Sequence, residues 1–199
     1  FLRYLVDTLA SIGGRRIVEL GSGDGINVLA VAVMCPWIEE LTGIELTASG
    51  VRVGKESLIH PPYRWLRYLT GLGEAEIRKR LSGRAITSVE CDITRMPFPD
   101  KSFDFAFSMW VLEQIPKNYM SVFTETKRVV EGHTLFMEAF KEAQMNFWQL
   151  LHLMNMDYFR ASYRSVEAAG FRVLRLEPMG LSKLKFRNAA LLAATDHKQ

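Results

Sequence analysis

Ile17-Val18-Glu19-Leu20-Gly21-Ser22-Gly23-Asp24-Gly25 carries an apolar strand into a glycine-dense turn, and the run from Ile26 to Met34 that follows is almost wholly apolar. Glycine is needed where backbone passes close to a ligand or takes a positive φ, which a Cβ penalises. The pattern predicts a strand over about 16–20 and a helix over about 24–34, stopped by Pro36. Such a helix aims its unpaired N–H groups and positive dipole end at whatever lies above the turn. A dinucleotide fingerprint would place Gly or Ala three residues after Gly23, where Ile26 stands. The spacing is instead acid-x-Gly-x-Gly-x-Gly, which excludes an ordinary dehydrogenase loop and keeps a nucleotide-like ligand.

The flanking sequence extends this reading. Leu2, Leu5, Val6 and Leu9 follow a helical period that Gly13-Gly14 ends. Leu41-Thr42-Gly43-Ile44-Glu45 is a second strand closing on an acid, and Thr47 is the expected N-cap of a helix to about 58, broken by Pro61-Pro62. The interval of about 59–83 is longer than a usual βα link and holds two short helical patterns, 63–69 and 74–81, so it reads as a helical insert. A third strand over 85–90 runs into Cys91-Asp92-Ile93. After Met96-Pro97-Phe98, Phe103–Met109 is apolar at nearly every position, as in a strand covered on both faces. A helix is expected over 117–130, a turn at Glu131-Gly132-His133 and a strand over 134–138. Helices over 142–154 and 158–169 and strands over 170–177 and 189–194 complete the chain. Strands alternating with helices, then two strands crowded at the end, imply a mostly parallel sheet with one terminal antiparallel strand.

The glycine motif, the acid closing the second strand and the run from Val89 through Pro97-Phe98 and Phe103-Asp104 to Pro116 together resemble the class I S-adenosylmethionine-dependent methyltransferases of small-molecule type. The resemblance implies an α/β, Rossmann-like three-layer sandwich. Its seven-stranded sheet would have the order 3-2-1-4-5-7-6 with the last strand antiparallel. S-adenosylmethionine would be the cofactor and S-adenosylhomocysteine the product. By the same resemblance, Gly21, Ser22, Gly23 and Gly25 pass under the methionine and ribose, and Glu19 fixes that turn and approaches the ligand's ammonium. Glu45 takes the ribose diol and Leu46 lies by the adenine. Asp92 accepts from the adenine amine, Ile93 packs on its ring, and Ser108 and Met109 line the methionine end. A plainer reading stands beside two of these, with Asp92 capping its own turn and Glu45 its helix.

Composition bounds the rest. A chain of 199 residues, 48% hydrophobic, suffices for one α/β core over 1–199 and is short for two domains. A net charge of +3 demands neither nucleic acid nor an anionic membrane. The cluster Arg64, Arg67, Arg78, Lys79, Arg80 and Arg84 is the one hint toward nucleic acid. It carries Glu74 and Glu76 at helical spacing and reads first as a solvated helix face. Cys35 and Cys91 lie far apart in no metal-ligand pattern, so neither a metal site nor a disulfide framework is expected. With no stretch long enough to span a bilayer, the expectation is a cytoplasmic protein of open oligomeric state.

The expected function is methyl transfer from S-adenosylmethionine to a small organic acceptor of apolar or aromatic character. Its acid–base candidates are Glu113 after the fourth strand, Glu138 at the end of the fifth, and His152 in a segment rich in Met, Phe, Trp and Tyr. Each has a structural rival in capping, ion pairing or core packing. Around Trp65, Tyr68 and Leu72 the insert reads either as a lid or as an interaction surface. Alternative functions are methylation of RNA or protein, and a binding or scaffold module that has lost turnover.

Overall fold

A computed structural model describes residues 1–143, 161–179 and 188–195. Helix α1 (Leu2–Ile12) precedes β1 (Arg16–Leu20), α2 (Ile26–Met34), β2 (Glu40–Glu45) and α3 (Ala48–Ile59). Two short helices, α4 (Tyr63–Thr70) and α5 (Glu74–Leu81), lead to β3 (Ala85–Glu90) and β4 (Phe103–Met109). Then come α6 (Tyr119–Val129), β5 (Val130–Glu138), α7 (Tyr163–Ala168), β6 (Arg172–Met179) and β7 (Asn188–Ala194). The sheet has the order β3-β2-β1-β4-β5-β7-β6. Its first five strands are parallel neighbours, and β7 runs antiparallel between β5 and β6. This is the Rossmann-like order that the resemblance implies.

Alternation along each strand supplies two apolar faces. Val18 and Leu20 of β1, Phe136 of β5 and Leu191 of β7 join one cluster with Phe123 of α6. Ile17, Phe105, Phe107, Leu135 and Leu192 join the other, which α1 and α2 cover through Leu5, Leu9, Val28 and Val31. Asp104 pins the amino ends of β1 and β4, accepting from the Arg15 and Arg16 amides and pairing with the Arg16 guanidinium at 2.7 Å. Burial alone would raise its carboxyl, yet the Arg16 and Arg15 amides and the guanidinium hold it below the ordinary range.

The expected turn at 131–133 is not a turn. β5 begins at Val130, directly at the end of α6, and His133 already pairs with Phe105. Gly132 is there for proximity: a Cβ on it would collide with the Asp104 carbonyl oxygen of β4. The helix after β1 starts two residues later than expected because the Ile26 amide bonds back to Asp24 Oδ1 at 3.1 Å, leaving Asp24 in the turn.

Helices α4 and α5 dock on the outer side of α2, where Leu66 and Ile77 meet Leu29, Ala30 and Val33 in a separate apolar cluster. Much of the basic cluster is engaged locally. Arg78 pairs with Glu74 and Arg80 with Glu76, each at 2.7 Å. Arg80 also donates to the Val33 carbonyl, and Arg84 to those of Cys35 and Pro36, at the end of α2. Trp65 and Tyr68 face outward, touching edge to face at a centroid distance of 6.4 Å. No helix among the described residues is long and apolar enough to cross a membrane.

Candidate functional site

Register brings the carboxyl ends of four strands level, since Leu20 of β1 pairs with Ile44 of β2 and Ser108 of β4, and Glu45 pairs with Glu90 of β3. Ligands of open parallel sheets bind at that end, beyond the strands. The glycine turn rises there with φ of +70° at Gly21, +52° at Gly23 and +77° at Gly25. It is tied to β2 by the Ser22 amide on the Ile44 carbonyl at 2.8 Å. A Cβ on Gly21 would sit 2.6 Å from a Val111 methyl, whereas one on Gly23 would point into open space. Gly23 therefore leaves the backbone bare toward the cavity.

That cavity measures about 400 Å³ and is lined by Gly21 and Gly23, Glu45 to Thr47, Asp92 and Ile93, and Val111, Gln114 and Ile115. Glu45 holds its corner together. Its Oε2 accepts from the Gly23 amide at 3.2 Å, and its Oε1 from the Thr47 amide at 3.0 Å and hydroxyl at 2.7 Å. Partial burial would raise this carboxyl, but the bonds from Thr47, Gly23 and Leu46 outweigh it, and the group stays ionised below its ordinary range. Thr47 caps α3 as expected, accepting from the Gly50 amide. Asp92 caps its own turn through Oδ1, which accepts from the Thr94 amide at 2.8 Å and hydroxyl at 2.7 Å. The plainer reading thus holds for Asp92 alongside its lining role, whereas α3 is capped by Thr47 and Glu45 braces that cap residue instead of capping the helix itself. Leu46 is 63% exposed at the rim, an unusual place for a leucine, while Ile93 is buried beneath.

Other expected residues fall outside the lining. Ser22 is buried under the turn, Gly25 caps α2, and Met109 packs against the α1 and α2 side of the core. Ser108 is wholly buried and donates to Glu138 Oε1 at 2.6 Å. In place of Ser108 and Met109, the β4 side of the cavity is built by Val111, Gln114 and Ile115. Sequence reading passed over these and Thr47 as site residues. For Val111, Gln114 and Ile115 the only pointer was their place between an apolar strand and Pro116.

Two carboxyls are sealed at this end of the sheet. Glu19 is 1% exposed and Glu138 is 0%. Desolvation pushes each up to about 8 against weaker opposition from hydrogen bonds. Glu19 Oε1 accepts from Asn27 Nδ2 at 3.0 Å and the Val28 amide also favours its charged form, while its Oε2 makes no hydrogen bond. Glu138 Oε1 accepts from Ser108 and from the Val111 amide at 3.2 Å, and its Oε2 from the Leu112 amide at 3.2 Å. This is the setting of a backbone-holding group, in contrast to the acid–base group facing an acceptor that the sequence suggested. Glu113 lies half-buried in the short 3-10 turn Leu112–Gln114. His152 lies outside the described residues, as does the aromatic segment around it. No group of three or more metal-ligating side chains occurs among the described residues.

The residues fit S-adenosylmethionine. Its donors are a diol and an amine, its charge is carried by a sulfonium and an ammonium, and this end of the sheet offers carboxylates, a bare glycine backbone and one unpartnered buried carboxyl oxygen. The sequence profile of the methyltransferase domain family matches residues 18–137. No curated protein sequence matches the chain at a significant level. Among solved structures, the chain is similar to the [4+2]-cyclase SpnF (18% identity, 96% of this chain and 80% of that one, TM-score 0.67). It is similar to an S-adenosylmethionine-dependent methyltransferase of Methanosarcina mazei (16%, 90% and 91%, 0.67). A third is a geranyl diphosphate methyltransferase in complex with GPP and sinefungin (12%, 98% and 76%, 0.65). The matched profile spans the glycine turn, both lining carboxylates and β5 as far as Met137. The chain belongs to the methyltransferase domain family and is a class I methyltransferase with S-adenosylmethionine as its cofactor.

Proposed function

We propose that the chain, read as one domain with a helical insert, transfers a methyl group from S-adenosylmethionine to a small organic acceptor of apolar or aromatic character. The observation that carries this reading is a cavity whose lining joins the ionisable Glu45 and Asp92 to the apolar Leu46, Ile93, Val111 and Ile115. When bound, the cofactor supplies a methyl already activated by its sulfonium, so no residue has to generate an electrophile. What the chain supplies is alignment. Glu45 holds the ribose hydroxyls while bracing the turn at Gly23, and Asp92 takes the adenine amine through the oxygen its turn leaves over. Leu46 and Ile93 enclose the ring, and Gly21 and Gly23 let the backbone approach. Fixing an acceptor behind the methyl contributes on the order of several kcal/mol to the rate.

A small acceptor is supported by the similarity to a geranyl diphosphate methyltransferase. It is supported too by the local engagement of Arg78, Arg80 and Arg84, which leaves less of the basic cluster for RNA. Calorimetric titration with S-adenosylmethionine, S-adenosylhomocysteine and NADH, followed by a screen of small acceptors against RNA and protein, tests it. The expected result is binding of the first two ligands alone and turnover with a small acceptor; methylation of RNA or protein alone would refute the acceptor class.

A further inference from the structure

We propose that Glu138 is a positioning residue for the cofactor pocket. From the end of β5 it gathers the Ser108 hydroxyl and the amides of Val111 and Leu112, and so fixes the left-handed turn at Trp110 that sets Val111 against the glycine turn. The proposal rests on the cavity being the cofactor pocket.

Trp110 has φ of +58°, a conformation that a bulky L-residue adopts only at a cost and only where its surroundings impose it. Those surroundings are specific. Its own amide bonds to the Met137 carbonyl at 3.2 Å, one residue before Glu138. The next two amides, of Val111 and Leu112, end on the Glu138 carboxyl, and the indole rests edge-on against Phe1 at 4.9 Å. The chain therefore reverses at Trp110 around one carboxyl group. Its result is that the Val111 methyls fill the volume a side chain on Gly21 would take, and Val111, Gln114 and Ile115 form the wall of the cavity.

All three partners of Glu138 are donors, so an ionised carboxylate satisfies them together. An amide could accept at one atom but would point N–H groups at another donor. Burial and, less strongly, the charge of Glu113 oppose ionisation and hold the carboxyl up at about 8, and the three donors counter them only in part. A carboxyl enclosed in this way exchanges no proton with an acceptor, so its part in the reaction is to shape the site.

The experiment compares the unaltered chain with Glu138→Gln, Trp110→Gly and the double variant, reading S-adenosylhomocysteine affinity by calorimetry and amide exchange by mass spectrometry. Glu138→Gln should weaken binding about tenfold and speed exchange over 110–115 while β1 stays protected. Trp110→Gly alone should bind within about threefold of the unaltered chain, because glycine takes a positive φ freely. Added to Glu138→Gln it should restore at least about threefold of the lost affinity. Unchanged binding by Glu138→Gln, or no recovery in the double variant, overturns the proposal. Should Glu138→Gln fail to fold, exchange in the unaltered chain decides: Val111 and Leu112 amides as slow as those of β4 support the clamp, and solvent-like exchange overturns it. An unaltered chain that binds no S-adenosylhomocysteine removes the pocket assignment, while exchange at Val111 and Leu112 still judges the clamp.

Discussion

Glu19 near the end of β1 and Glu138 at the end of β5 are both sealed in the core, yet the two are built to opposite ends. Glu138 has a donor for every side it presents, while Glu19 keeps Oε2 bare. Burial and the rise to about 8 are the same for both. Depth in the core thus does not separate a carboxyl whose oxygens the fold has engaged from one with an oxygen left over. What separates them is whether the fold has already spent the oxygen, since an unsatisfied buried polar atom is costly and persists for a reason.

The largest effect expected from this contrast is on stability. Glu138→Ala leaves the Ser108 hydroxyl and two amides without acceptors and should lower the unfolding free energy by about 3 kcal/mol in urea titrations. Glu19→Gln keeps the bond from Asn27 and removes a carboxyl that resists burial, so stability should hold or rise by about 1 kcal/mol. Its S-adenosylmethionine affinity should fall about tenfold. Equal destabilisation by Glu138→Ala and Glu19→Gln would break the comparison.

Affinity comes next. Glu45→Ala and Asp92→Ala should each weaken S-adenosylmethionine binding about tenfold by calorimetry, through loss of charge-assisted bonds. Normal binding by either would remove it from the site.

Acidity sharpens the contrast further. With folded values near 8 against 4.5 unfolded, the native state holds more protons than the unfolded one across that interval. Stability should therefore fall as pH rises from about 4.5 to about 8, visible as a declining Tm. Glu19→Gln should flatten part of that slope. A Tm that rises over the window would contradict both settings.

The smallest effect is expected on the insert. Trp65→Ser and Tyr68→Ser should change stability by less than about 0.5 kcal/mol and leave cofactor affinity untouched, because both side chains face away from α2 and line no part of the cavity. A loss of affinity would restore the insert as a cover for the site.

Much of the fold was legible because it is local. Phe103–Met109, Ala85–Glu90 and Glu74–Leu81 begin and end where periodicity and flanking breakers put them. That Glu45 and Asp92 line a cavity was legible through the family resemblance of the acid closing the second strand and the acid in the turn after the third. What escaped depends on partners distant in sequence. Glu131-Gly132-His133 has the composition of a turn, and only the Asp104 carbonyl beside Gly132 explains its place in a strand. Trp110 carries no glycine or asparagine to announce a positive φ, so Val111, Gln114 and Ile115 could not be placed on the cavity wall. Glu138 read as an open acid because nothing near it in sequence reveals that its acceptors are used.

Gly21 and Val111 come from opposite halves of the chain and share a single small volume, which makes them an exchangeable pair. Randomised together under selection for cofactor binding, they should trade bulk. Any asparagine or aspartate tolerated at position 21, where the backbone admits little else, should appear only with alanine or glycine at position 111. The size of the cavity is then a sum fixed across two turns, and it can be redistributed by paired changes that leave every strand in register.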